Sequence, residues 1–318
     1  MARNNCKKKL TSMARIPDIF FRPSLTLQLP HNFNAETMYP FIATAINCEQ
    51  LEPKCSRLEF DFSNLNFIEP IGVVVLSNTV EWLRKNQVKL SFKNHSTSTP
   101  GNKFLDDSKF FLRYLNKQVN LKSDTRSTTV PLHLVKHESS FVYIENLIYW
   151  LSVRLHLSKS TLSGLKVCLE EVFNNIRDHA SEDTGCIFVQ HHPRANQVKI
   201  VVSDFGVGIP INVRTIITKI SDAEAIRKAT QEGFTTKPGG KNRGAGLDIL
   251  LLNVVKSNQG SVHIHSLNGI FYAYPGTAGI QTRVKTSRDG TYPGTLIQLI
   301  LRTETFDPSI ADEEDFVW

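Results

Sequence analysis

The sequence has no run of the roughly 18 apolar residues that a helix needs to cross a bilayer. Its basic N-terminus is not followed by the apolar segment of a secretory signal peptide. The five cysteines include no Cys-x-x-Cys pair, which argues against structural zinc and suits a reducing compartment. No Gly-x-x-x-x-Gly-Lys-Ser/Thr phosphate loop is present. We therefore expect a cytoplasmic protein without a membrane segment.

Charge is unevenly distributed along the 318 residues, a length that predicts two domains. Residues 1–130 contain 18 lysines and arginines against 11 acidic residues, whereas residues 131–318 contain 19 of each. Five of the cations fall within residues 1–15, which we interpret as a basic tail. Such tails can bind nucleic acid but are more often simply solvated, so nucleic acid is not an expected partner. Residues 304–318 are predicted to be an acidic tail.

Apolar residues at helical spacing predict a helix over residues 158–180, which begins near the N-cap candidates Ser158 and Thr161. Two sets of polar residues share this helix. One lies about 100° from the centre of the apolar stripe and so borders the core: Glu171, Asn175 and His179. The other lies about 160° away and faces solvent: Glu170, Asn174 and Asp178. A cleft can form only at the border of the core, so we assign the chemistry to the first set. The alternative is that all six form a solvated face.

Two runs containing glycine follow the helix. The predicted strand 197–203 ends at Asp204, and Gly206 and Gly208 come directly after it. The polar stretch 233–243 then leads into an apolar run, 247–255, which predicts a buried helix. Free N–H groups at a helix start suit phosphate oxygens, and the cations of this stretch could add charge. Taken singly, these runs could be an ordinary turn and a surface loop. All three runs in this order predict a nucleotide site.

In this order the runs resemble the boxes of the GHKL ATPase superfamily, which includes histidine kinases, type II topoisomerase subunits and anti-sigma-factor serine kinases. The resemblance covers about residues 128–303 and implies that residues 131–303 form a Bergerat-type α/β two-layer sandwich that binds ATP and Mg²⁺. It implies that Asn175 binds Mg²⁺ and that Glu171 is the general base. Asp204 would accept a hydrogen bond from the adenine amino group. Other residues would complete the nucleotide site: His179, Gly206, Gly208, Lys237, Arg243, Gly244, Gly246, Leu247 and Thr295.

No histidine has the acid-then-proline context of a phosphoacceptor helix, and the order of strand 128–135 and helix 140–156 looks most like the anti-sigma-factor kinases. Residues 16–118 contain a strand at 57–62, a turn at 63–72, a helix to about Lys85 and a strand at 88–92. This order resembles a STAS domain. Where that family has its phosphorylated serine, the sequence has Glu69-Pro70-Ile71-Gly72, without a hydroxyl. The resemblance therefore implies a docking or ligand-sensing module, joined to the second domain by the linker 119–130. An unrelated α/β domain is the alternative.

Three functions remain open at this point. A serine/threonine kinase would use Glu171 to accept a proton from a partner hydroxyl, and an ATPase would use it to activate water. A non-catalytic ATP sensor would instead change its partner binding when nucleotide orders the lid. All three imply ATP, Mg²⁺ and a regulatory protein partner, and a homodimer is left open.

Overall fold

The computed structural model describes residues 23–47, 49–179, 184–236 and 246–306. The first half, residues 23–118, is built on a parallel sheet of three strands in the order β1-β5-β7. Its strands and helices, in chain order, are β1 (Ser24–Gln28), β2 (Asn32–Phe33), α1 (Met38–Ala45), β3 (Ile46–Asn47), β4 (Glu52–Pro53), β5 (Arg57–Asp61), β6 (Phe67–Ile68), α2 (Pro70–Lys85), β7 (Lys89–Lys93), α3 (Pro100–Asp107) and α4 (Phe110–Leu115).

Helix α2 begins earlier than the sequence predicts. Residues 63–72 were expected to form a turn, but Phe67–Ile68 is a short strand and the helix starts at Pro70. Proline suits the first helical position, because its missing N–H has no partner there in any case. Every residue from 70 to 80 is buried. A helix that is buried on all sides must have packing partners on all sides.

The second half is a sheet of seven strands in the order β13-β12-β11-β14-β10-β9-β8, and all neighbouring pairs are antiparallel. Its strands are β8 (Thr129–Lys136), β9 (Thr184–His192), β10 (Gln197–Asp204), β11 (Ser261–Leu267), β12 (Gly269–Gly276), β13 (Gly279–Thr286) and β14 (Tyr292–Arg302). The helices are α5 (His137–Leu155), α6 (Ser163–His179), α7 (Ile209–Arg214), α8 (Asp222–Ala229) and α9 (Gly246–Leu250).

Helices α5, α6 and α9 cover one face of this sheet and share an apolar core with it. Helix α6 begins at Ser163 rather than near residue 158. The Ser158 hydroxyl does accept a hydrogen bond from the backbone N–H of Thr161 (3.1 Å), but this bond closes a turn that precedes the helix. The predicted helix 247–255 is also divided, since α9 ends at Leu250 and residues 251–257 continue as a π-helix. None of the described helices combines the length and the hydropathy that a membrane crossing requires.

The first half of the chain packs on the other face of the sheet. Helix α2 lies over β9 and β10, and a single apolar core joins the two halves. Polar contacts cross the same boundary. The Glu69 carboxylate lies 3.3 Å from the Lys199 ammonium on β10, and the Tyr39 hydroxyl lies 2.9 Å from Nδ1 of His265 on β11. The large sheet therefore lies between helices α5, α6 and α9 on one side and the first half of the chain on the other. The length predicts two domains that each bury a core, and the core shared by the two halves was not expected from it.

Residues 119–130, the predicted linker, are held against α3 by two buried aspartates. Asp106 accepts hydrogen bonds from the backbone N–H groups of Val119 (3.1 Å) and Asn120 (2.8 Å). Asp107 accepts one from the Ser123 hydroxyl and pairs with Arg126, both at 3.0 Å. The connection between the halves is therefore fixed in place by hydrogen bonds.

Candidate functional site

Three polar side chains form a row across adjacent strands at one end of the seven-stranded sheet. Asp204 on β10 is paired with Thr295 on β14, and Thr295 is paired with Ser266 on β11. The residues two positions away on these strands belong to the core beneath the helices: Val202, Ile297 and Ile264. Because side chains alternate along a strand, the three polar side chains also point toward the helices.

Asp204 is the buried acid of this row, with only 9% of its surface exposed. Its Oδ1 accepts a hydrogen bond from the backbone N–H of Gly206 at 2.6 Å. Burial raises the pKa of its carboxyl group to about 6. A carboxylate has two acceptor oxygens, so the group can hold this turn and still accept a hydrogen bond from a ligand amino group.

Ser266 is a member of the row that the sequence analysis missed. Its hydroxyl donates to the carbonyl of Gly294 (2.7 Å), accepts from the N–H of Ile209 (3.0 Å) and lies 3.3 Å from the Thr295 hydroxyl. Gly208, at the start of α7, lies against the same hydroxyl. A signal was present in the sequence, because a serine follows Val262 and Ile264 at the spacing of the buried face of a strand.

Gly294 lets β14 approach the Asp204 turn closely. Its φ is +88°, a left-handed conformation that side chains rarely adopt. A Cβ at this position would lie 2.4 Å from the Asp204 carbonyl oxygen and 2.6 Å from the Gly206 nitrogen. Both atoms are backbone, so neither can rotate away.

We expect Gly294→Ala to lower the free energy of unfolding by about 1–3 kcal/mol, because strained dihedrals and a backbone clash coincide. Gly279→Ala is the matched control, since Gly279 also has positive φ (+115°) but no atom within 4 Å of its added Cβ. Urea unfolding of both variants measures the difference. If both variants lose the same free energy of unfolding, the close approach of β14 does not contribute to the effect of Gly294→Ala.

The two sets of polar residues on helix α6 have different neighbours. The hydrogen bond that Lys166 donates to Glu145 on α5 raises the pKa of Lys166, and the nearby Glu170 carboxylate raises it further. Burial raises the pKa of the Cys168 thiol, and the Glu171 carboxylate adds to that shift. The Cys168 sulfur also contacts the Ile249 carbonyl on α9 at 3.7 Å. The Glu170 carboxylate is thus close to the Lys166–Glu145 pair, and the Glu171 carboxylate is close to Cys168, whose sulfur contacts α9.

Asn175 lies one helical turn after Glu171 and next to the start of α9. A Cβ added to Gly246 would lie 3.1 Å from Nδ2 and 3.5 Å from Oδ1 of Asn175. The glycine thus leaves space beside the amide, at the N-terminus of a helix. The first and third runs of the sequence, about 70 residues apart, meet at this point.

Asp248, in the first turn of α9, was also missed by the sequence analysis. Its Oδ1 is buried and has no hydrogen-bond partner within the described part of the chain. A lone buried acceptor is costly unless a donor or a cation reaches it. Nothing in the sequence distinguishes this aspartate from a solvated residue at a helix start. Across the described ranges, no group of three or more His, Cys, Asp or Glu side chains is arranged to hold a metal ion.

Several predicted site residues cannot be placed. Lys237, Arg243 and Gly244 lie outside the described residues, as does the side chain of His179. Leu247 is described, and its side chain is buried in the core between the sheet and the helices. The site therefore consists of two described parts, the polar row at the strand ends and the contact between α6 and α9.

Residues 161–303 match the sequence model of the histidine kinase-, DNA gyrase B- and HSP90-like ATPase family. This match confirms the predicted resemblance for these residues. A solved topoisomerase IV ATP-binding domain from Francisella tularensis, in complex with a small-molecule inhibitor, is 14% identical with a TM-score of 0.26. That match covers 57% of this chain and 44% of the solved one, so the chain spans less than half of that structure. No curated protein matches the chain.

Proposed function

We propose that the chain is a regulatory protein whose second half binds Mg·ATP and either hydrolyses it or transfers its phosphoryl group to a partner hydroxyl. The observation that carries this proposal is the convergence of distant sequence runs. Asp204 and Thr295 are side by side on the sheet, and Gly246 lies against Asn175 under the helices. All four belong to the part of the chain that matches the ATPase family.

Adenine would bind over the polar row. Its amino group donates hydrogen bonds, and Asp204 is a buried acceptor with one oxygen already fixed by Gly206. The hydroxyl of Thr295, on the same face of the sheet, could bond a ring nitrogen. An acceptor fixed in this way discriminates strongly against purines without an amino group, because such a ligand would leave it unpaired.

The phosphates would lie toward the start of α9, and the residues there fit a Mg²⁺-bound triphosphate. Gly246 keeps the helix start clear of side-chain atoms, and the Asn175 amide supplies an oxygen beside it. Mg²⁺ usually takes one or two protein oxygens and obtains the rest from phosphates and water. A bound cation would also give the unpartnered Asp248 oxygen a counter-charge. When bound, the ion neutralises charge on the transferred phosphoryl group.

We propose that Glu171 acts on the attacking oxygen. It precedes Asn175 by one helical turn, so its carboxylate can reach the nucleophile beside the phosphates that Asn175 helps to hold. It would accept a proton from water in hydrolysis or from a serine or threonine hydroxyl in phosphoryl transfer. The same side chain would serve hydrolysis and phosphoryl transfer. Which of the two occurs would therefore depend on whether water or a partner hydroxyl reaches the site.

For the first half we propose a docking or sensing role of the STAS type. Its parallel sheet and the helix after Glu69 support this role, and Glu69 pairs with Lys199 rather than presenting a phosphoacceptor. A non-catalytic sensor is the second candidate. It is favoured by the contact of Asn78 on α2 with the Tyr292 hydroxyl (3.3 Å), which in turn contacts Ser203 (2.5 Å) next to Asp204.

Incubation of the full chain with γ-labelled ATP and Mg²⁺, with and without lysate from the source cells, separates these functions. Label on a protein indicates a kinase, and free labelled phosphate indicates an ATPase. Bound, intact ATP without turnover indicates the sensor. Failure of ATP to bind at all, measured by calorimetry, would contradict the proposal.

A matched pair of variants tests the metal ligand. We expect Asn175→Ala to abolish the increase in ATP affinity that Mg²⁺ produces, because the amide oxygen bonds the ion directly. Asn174→Ala should retain the increase, since residue 174 lies about 100° around the helix from Asn175. Calorimetry with ATP in Mg²⁺ and in EDTA measures both. If the two variants respond to Mg²⁺ as the wild type does, the ion binds elsewhere.

A further inference from the structure

A cavity of about 510 Å³ lies between helix α2 and the outer face of the seven-stranded sheet. Volumes of this order are typical of small-molecule sites, which often form where domains meet. Its sheet wall includes Leu134 and Cys186, whose side chains belong to the core shared with the first half. The cavity is therefore on the opposite face from the proposed nucleotide site.

The wall of the cavity carries more positive than negative side chains. Three cationic side chains line it, from α2, α4 and β8: Lys85, Arg113 and Lys136. The wall also includes two acidic residues, Glu81 and Asp204, but the Asp204 side chain points toward the helices on the other face of the sheet. The Arg113 Nε lies 3.8 Å from the Glu81 carboxylate, which is too far for a hydrogen bond. The guanidinium therefore has donors to offer a second, closer anion. An excess of positive charge in a partly enclosed space attracts anions.

An apolar part of the wall complements the cations. The indole of Trp82 on α2 is half-buried and faces the cavity together with Leu134 and Phe205. Planar rings bind against such surfaces by stacking and by burial of apolar area. A simple inorganic anion would leave this part of the wall unused. The wall fits a molecule with one acidic group and one flat apolar part.

The cavity reaches the turn that holds the buried acid of the nucleotide site. Asp204, Phe205 and Gly206 form one end of its wall. The Phe205 ring packs edge-on against the Tyr292 ring, with 5.3 Å between the ring centroids. The Tyr292 hydroxyl accepts a hydrogen bond from Asn78, another wall residue. A molecule in the cavity would therefore contact the same backbone segment that positions Asp204.

We propose that this interdomain cavity is a binding site for a small aromatic or otherwise planar organic anion, and that its occupancy is coupled to nucleotide binding through residues 204–206. Arg113 and Lys136 bind the acidic group, and Trp82 stacks on the planar part. The coupling rests on the proposed function, but the binding site does not. Coupling of this kind is reciprocal, so each ligand changes the affinity of the other by the same factor.

The first test uses two probes with the same type of ring system and different charge. We expect the anionic 1-anilinonaphthalene-8-sulfonate to bind the full chain at one saturable site, and the neutral N-phenyl-1-naphthylamine to bind at least about tenfold more weakly, because it lacks charge-assisted hydrogen bonds. Arg113→Gln and Lys136→Gln should each weaken binding of the anionic probe about tenfold. Lys256→Gln, an exposed cation on the π-helix, should not change it.

Fluorescence titration measures these affinities. Equal affinity for the two probes, no saturable binding, or unchanged binding to the Arg113→Gln/Lys136→Gln double variant would each overturn the site. Arg113 and Lys136 are exposed, so the variants should fold, and circular dichroism checks this directly.

The second test repeats the titration at increasing Mg·ATP. Coupling between two sites shifts the affinity for the probe to a limiting value, whereas competition for one site weakens it without limit. A limiting shift supports the proposal, and unlimited weakening would place the probe in the nucleotide site. If ATP itself does not bind, the proposed function fails, while the probe titration without nucleotide still decides the cavity site.

Discussion

Glu171→Gln is expected to leave ATP binding nearly unchanged and to lower turnover by about 10²–10⁴-fold, the usual contribution of a positioned general base. Glutamine keeps the size of the side chain and its carbonyl oxygen but cannot accept a proton. Glu171 precedes Asn175 by one helical turn, and Asn175 lies beside Gly246, where the phosphates are proposed to lie. Loss of turnover without loss of binding is the signature of a group that acts in the transition state.

Glu170→Gln is the matched control for this prediction. The two glutamates are neighbours on one helix, but the Glu170 carboxylate lies near Lys166, whose pKa it raises. Glu170→Gln should lower the turnover rate by less than about threefold, because substitutions at the surface usually have small effects. Single-turnover kinetics with pre-bound ATP measures the chemical step for both variants. Wild-type rates in Glu171→Gln would assign the base to another residue, and equal losses in both variants would indicate a structural effect on the helix.

The part of the chain that matches the ATPase family was predictable because its signals are local. Asp204 ends a strand of β-branched residues, and residues 163–179 carry a helical stripe, so spacing alone placed these side chains on the correct elements. The choice between Glu170 and Glu171 followed from the angle to that stripe, and it stays a prediction. The start of α6 was less predictable, because Ser158 can cap a turn as well as a helix.

Long-range contacts were not predictable in the same way. Ser266 joins the polar row only because β11 pairs with β14, whose chain position is about 30 residues away. The burial of α2 between two sheets depends on the whole first half docking on the outer face of the large sheet. The run Val73-Val74-Val75-Leu76 carried a signal for this packing, since a helix without a polar face needs partners on every side.

Asp204→Asn is expected to lower ATP affinity at least tenfold at pH 7 and to stabilise the nucleotide-free fold. The amide can keep the hydrogen bond from Gly206 through its carbonyl oxygen, but it then presents an NH₂ group to the adenine amino group, and two donors face each other. Inosine triphosphate, which lacks the amino group, is the ligand control. The wild type should bind ATP more tightly than inosine triphosphate, and the variant should lose this preference. A retained preference would remove Asp204 from adenine recognition.

The free energies of unfolding of the wild type and of Asp204→Asn should differ more as the pH rises. Burial raises the pKa of Asp204 from 3.8 to about 6, so the folded state holds this proton more tightly than the unfolded state. The stability contributed by the group is full below about pH 4 and is lost as the pH rises through about 6. Asparagine cannot ionise, so the variant should gain up to about 3 kcal/mol over the wild type at pH 7 and nothing at pH 4. Urea unfolding at both values measures this difference.

The ATP affinity of the wild type should rise with pH while its folding stability falls. The adenine amino group needs the ionised Asp204 carboxylate as acceptor, and burial disfavours that form. A hydrogen bond from the amino group favours the ionised carboxylate, so the ratio of wild-type to variant affinity should rise as the pH increases through about 6. The ratio is the informative quantity, since the terminal phosphate of ATP also titrates near neutrality and affects both proteins alike. A ratio that does not change between pH 5 and pH 8 would contradict the assignment even if the variant binds ATP weakly. The carboxylate would thus cost folding stability at neutral pH and supply nucleotide affinity there, a trade-off often found at binding sites.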